Sequence, residues 1–131
     1  MTPDLLERWL FAFVFTQAVE VPIYLARPLR GRPLAAFGAS ALTHPFVAVV
    51  IPWLFSSLFA PVVWIPGETR LTPGFVLRAL LLFALCEGFA VAVEAWYLRR
   101  LGAGRPLFWS LVANGASAVI GVFCTLFFGW P

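Results

Sequence analysis

The chain has 131 residues, 62% of them hydrophobic and only 11% charged, with a mean hydropathy of +0.93. A water-facing domain of this length carries about a quarter charged residues, so the solvent for most of this chain is lipid. The net charge of +3 is small and sits in loops, which argues against a nucleic-acid partner.

The first element opens with "MTPDLLER", where Asp4 and Glu7 precede or flank the first arginine and no small-residue cleavage site follows the apolar run. A cleavable signal needs a basic start and an A-x-A-like end, so this segment reads as a retained span over residues 9–26. The loop "RPLRGRP" follows, and then a long apolar run over 34–60. That run contains Pro45 and Pro52, with Pro61 just beyond, and is expected to kink, tilt or end early. A break near Pro61 places Trp64 at headgroup level. After "WIPGETRLTP" come spans over 74–98 and 107–128, separated by "RRLGAGRP". Cys86 and Cys124 fall inside these apolar runs and read as small packing residues rather than a disulfide.

The expected fold is therefore an all-α membrane protein, a single integral membrane domain over residues 1–131 built as a four-transmembrane-helix bundle. Arg27, Arg30 and Arg32 lie in the first loop and Arg99, Arg100 and Arg105 in the third. Four spans put both loops on one side. The positive-inside rule makes that side cytoplasmic and both termini non-cytoplasmic. All basic residues are arginine, which points to a GC-rich coding genome, and the expected location is a bacterial cytoplasmic (inner) membrane, crossed several times. The two loops also resemble each other: "YLARPLRGRPL" at 24–34 matches "YLRRLGAGRPL" at 97–107 at seven positions. Either two arginine-rich turns have converged, or the chain is two parallel-repeated helical hairpins.

Polar residues within the spans cluster by depth. At ~1.5 Å per residue from the loop end, Glu20, Gln17, Thr43, His44, Asn114 and Ser117 fall within the first ~15 Å. Glu94 falls at ~6 Å and Glu87, the deepest carboxylate, at ~17 Å. On this count Glu94 lies nearer the cytoplasmic water, and its loss is expected to be milder than that of Glu87. They also cluster by face. Glu87 and Glu94 project from one side of their helix, and Ser110, Asn114, Ser117 and Thr125 form a stripe on the fourth. Lipid satisfies none of these groups, so each stripe is expected to face the bundle and form one polar chamber. Pro22 and Pro45 free carbonyls near Ala18 and Ala41, beside the same groups.

Carboxylates at membrane depth need a proton, a bound cation or an imidazolium as compensation. One His and three Glu also suit a divalent metal, with His44, Glu87 and Glu94 as the candidate ligands, although no metal-ligand spacing occurs within one helix. No H-E-x-x-H, G-x-S-x-G or P-loop pattern is present. Three readings follow. The first is proton, cation or small-solute transport, or a channel-like activity, through the chamber. The second is an intramembrane enzyme acting on a lipid or peptide, with Glu87 or Glu94 as base and His44 as partner. The third is a non-catalytic subunit of a larger membrane complex. Four short helices enclose little space, so a homo-oligomer is also consistent with the sequence.

Overall fold

The computed structural model describes residues 3–59 and 73–128, with side chains from residue 6 onward. Each long helical run opens on a proline, whose fixed φ and missing N–H suit a first turn. Helix α1 spans Pro3–Ala26, α2 spans Pro33–Pro45, α3 spans Ile51–Leu58, α4 spans Pro73–Arg100 and α5 spans Pro106–Phe128. A single π-helical turn, Phe46–Val50, joins α2 to α3, so the three pieces form one rod.

Four segments are long and apolar enough to cross a membrane: Leu6–Ala26, Pro33–Leu58, Pro73–Arg100 and Pro106–Phe128. The architecture is that of a multi-pass, all-helical membrane protein. Most ends differ from the sequence expectation by one to three residues, the first span opening at Leu6 instead of 9. The second segment stops at Leu58, where Phe59 turns extended (φ −126°, ψ 160°), instead of running to 60. The third continues through Arg99 and Arg100, whose positive charges suit the carbonyl end of the helix. Pro61, Trp64 and the rest of the second loop lie outside the described residues.

The prolines explain the π turn. Pro52 has no N–H, so the carbonyl four residues before it loses its usual donor. The chain answers by shifting register: Ile51 N–H donates to Phe46 O, five residues back. The Val47 carbonyl is then left without a helical donor, because the donor five residues ahead is again Pro52. The Cys86 thiol of α4 donates to it at 3.5 Å. Cys86 and Cys124 are both free thiols.

Around the bundle, α1 packs on α2, the α2 rod on α4, α4 on α5, and α5 back on α1. Each rod touches its two neighbours in a closed ring, as in an up-down four-helix bundle. The interior reverses the pattern of a soluble protein. Half of its buried apolar residues are alanines (Ala36, Ala39, Ala90, Ala113), and Glu20, Ser40, Thr43, His44, Glu94, Ser110 and Asn114 are buried with them. Large apolar side chains such as Val14, Leu80, Val119 and Leu126 point outward. Small residues let helices approach closely where lipid supplies no hydrophobic drive, and polar ones then bond across the gap. At the loop end Tyr24, Leu29 and Leu98 are fully buried and close the interior.

Candidate functional site

Glu94 is the most securely held polar group of the bundle. It is 1% exposed, and three other helical runs reach it. From α1 the Tyr24 hydroxyl donates to Oε2. From α5 the Asn114 amide donates to the same oxygen at 2.6 Å. From α2 the Thr43 hydroxyl lies 2.9 Å from Oε1. Thr43 also lies 3.1 Å from the Ser40 carbonyl. A hydroxyl has one proton to give, so its direction depends on the acid. It donates to an ionised Glu94, or it accepts from a protonated Glu94 and donates to Ser40 O. Both states of the carboxyl are thereby satisfied.

Glu20 is held by half of such an arrangement. Ser117 Oγ lies 2.6 Å from Glu20 Oε1 and 2.9 Å from the Asn114 carbonyl. Glu20 is 1% exposed, yet its Oε2 has no hydrogen-bond partner. The buried Ser40 hydroxyl and His44 Nδ1 are likewise without one. Glu87 is half-buried and makes no hydrogen bond to any described residue.

These groups meet in one cavity of about 100 Å³. Three carboxyls line it, Glu20, Glu87 and Glu94. Hydroxyls come from Thr16, Ser40, Thr43 and Ser117, and Asn114 and His44 complete the polar wall. No arginine borders it. The imidazole of His44 stands edge-on to Trp9 and Phe13, with ring centroids 5.6 and 5.0 Å away. It shares the cavity with the carboxyls without a hydrogen bond to them. Among the described residues no three His, Cys, Asp or Glu side chains gather as a metal-binding group, so the set His44, Glu87 and Glu94 is not assembled as ligands here.

Of the residues marked by sequence, Glu20, Thr43, His44, Glu87, Glu94, Asn114 and Ser117 share the cavity, and Gln17 does not. The Gln17 amide is buried with neither atom bonded, on the flank of α1 away from the cavity. At 100° per residue Thr16 and Gln17 lie on opposite sides of the Glu20 direction, and the cavity opens on the Thr16 side. Thr16 is the polar cavity residue that sequence reasoning passed over. Its place four residues before Glu20, on the same face, was the signal. The expected order of the glutamates is also reversed. Glu94, nearer the helix end, is enclosed, and Glu87 is the more open of the two.

The hydrogen bonds obey a simple correspondence. The shift in numbering that carries Glu20 onto Glu94 carries Ser40 onto Asn114 and Thr43 onto Ser117. Glu94 with Thr43 and the Ser40 carbonyl thus mirrors Glu20 with Ser117 and the Asn114 carbonyl. The shift also carries buried Tyr24, Ala36 and Ala39 onto buried Leu98, Ser110 and Ala113. It is one residue longer than the shift that aligns the two arginine loops.

Comparison of the chain with protein-family models, with curated proteins and with solved structures finds no match.

Proposed function

We propose that this chain carries protons or a small monovalent cation through the acidic cavity, as a multi-pass protein of a bacterial cytoplasmic membrane. The observation that supports this most is a carboxyl-lined space with no arginine beside it, in which Glu20 Oε2 is buried without a hydrogen bond. Such oxygens need a proton, water or cation to be satisfied. Size favours this reading over an intramembrane enzyme. A space of about 100 Å³ holds roughly three waters at ~30 Å³ each. Sites for organic ligands run to ~300–1,000 Å³. A proton or a partly dehydrated cation fits such a space more readily than a lipid or peptide substrate.

A carboxyl-directed probe tests the site. Dicyclohexylcarbodiimide is apolar and modifies protonated carboxyls in membranes. Glu87, open to the cavity and unbonded, is expected to react ahead of Glu94, whose two oxygens are both engaged. Sodium or potassium in excess should slow the reaction if the occupant is a cation, and only raised pH should slow it if the occupant is a proton. Reaction of Glu94 first, or of no glutamate in the folded protein, would count against the reading.

The matched hydrogen bonds further support a duplicated helical hairpin, with one glutamate and one hydroxyl partner from each half. In the orientation we propose, both arginine loops are cytoplasmic and both termini face outward. Single cysteines placed beside Arg30 and Arg100 should resist a membrane-impermeant thiol reagent in intact cells and react once the membrane is opened. Labelling of either from outside would reverse the topology.

A further inference from the structure

A second cavity, of about 410 Å³, lies between the two arginine loops and shares no residue with the acidic one. Arg27 stands on one side of it. Arg105, Trp109 and the Gly102–Gly104 turn form the other. The walls are held in place by the chain itself. Gly102 takes the left-handed conformation (φ 77°). The turn then closes through Gly102 N–H to Arg99 O at 3.1 Å and Ala103 N–H to Leu98 O at 3.0 Å. That is a Schellman ending, which favours glycine at the left-handed position. The Arg32 guanidinium ties the first loop to the third by donating to Leu101 O at 3.1 Å.

The arginines divide by what they touch. Arg32 is committed to that carbonyl, and Arg100 lies over the Trp96 ring at 5.4 Å. The guanidinium groups of Arg27 and Arg105 have neither hydrogen bond nor ion pair among the described residues. Neither loop contains an Asp or Glu to answer their charge. The positive end of α5, which starts at Pro106, adds to the potential at the same edge. Guanidinium forks match phosphate oxygens, and a half-buried indole at a helix end sits where headgroups meet acyl chains. A space of this size also suits a small ligand.

We propose that this cleft binds a phosphate group at the membrane surface, held between Arg27 and Arg105, with Trp109 packed against whatever the phosphate esterifies. The same chemistry is offered by an anionic phospholipid headgroup and by free phosphate. The full-length protein in detergent is titrated with phosphatidylglycerol and with phosphatidylcholine, and bound lipid is counted by native mass spectrometry. Phosphatidylglycerol should bind the more tightly. Arg27→Gln and Arg105→Gln should each weaken it about fivefold, the effect of one juxtamembrane arginine. Arg30→Gln removes the same charge outside the cleft and should leave binding close to that of the unaltered protein. Inorganic phosphate then separates the sources: displacement of the lipid makes soluble phosphate a competent occupant, and indifference to it makes the headgroup the ligand. Equal binding of the two lipids, or an equal loss in Arg30→Gln, would mean a diffuse positive surface and no site.

Discussion

Glu94→Ala is expected to destabilise the folded bundle by about 2–4 kcal/mol, because three intramembrane hydrogen bonds worth ~0.6–1.7 kcal/mol each are lost together. The reason lies in where the partners come from. Tyr24 belongs to α1, Thr43 to α2 and Asn114 to α5, so one carboxyl on α4 ties all four membrane-crossing segments at one point. Its removal leaves the buried Tyr24 phenol without its acceptor, while the Thr43 hydroxyl and the Asn114 amide keep only the Ser40 and Ser110 carbonyls. Glu94→Gln should cost about 1 kcal/mol or less. Its carbonyl oxygen accepts from Tyr24 and Asn114, and its amide donates to Thr43 as a protonated acid does. Unfolding in mixed micelles, followed by circular dichroism, measures both. An alanine variant that unfolds with the wild type would show that Glu94 is not a tie between helices.

The four spans were legible because length and apolarity answer directly to bilayer thickness. The gathering of Glu20, Thr43, His44, Asn114 and Ser117 was legible for a related reason. Groups that lipid cannot satisfy must face one another, and depth along a helix is countable from its end. Depth is a poor guide to exposure, however, and that is where the two glutamates were misordered. Glu94 stands close to the helix end, but it is buried there together with Tyr24, Leu29 and Leu98. Which side chains close a bundle depends on helix rotation and on loop conformation, and neither can be counted along the chain. Gln17 falls outside the cavity lining for the same reason, since a turn of 100° decides between cavity and flank. The π turn shows the opposite case. Pro45 and Pro52 marked a disturbance, but the identity of the donor that repairs it, the Cys86 thiol, depends on a neighbouring helix.

Glu87 separates packing from function more cleanly than any other residue. It is half-buried on the wall of the acidic cavity and bonds to no described residue, so Glu87→Gln keeps size and polarity and gives up only ionisation. Stability should change by less than about 1 kcal/mol, within the span of a single intramembrane hydrogen bond. Transport should fall by about tenfold or more, the equivalent of ~1.4 kcal/mol in a barrier. Glu20→Gln should reduce flux as well, but with some loss of stability, because Ser117 Oγ lies 2.6 Å from the carboxyl.

The claim of ion passage is tested most directly by flux into proteoliposomes. Wild-type and Glu87→Gln proteins are reconstituted at equal density, and entry of H⁺, Na⁺ and K⁺ is followed under an imposed membrane potential. Wild-type protein should carry at least one of these ions faster than protein-free liposomes do, and a folded Glu87→Gln protein should lose that excess. Flux of all three ions at the protein-free rate, or flux that survives intact in the variant, would contradict the account.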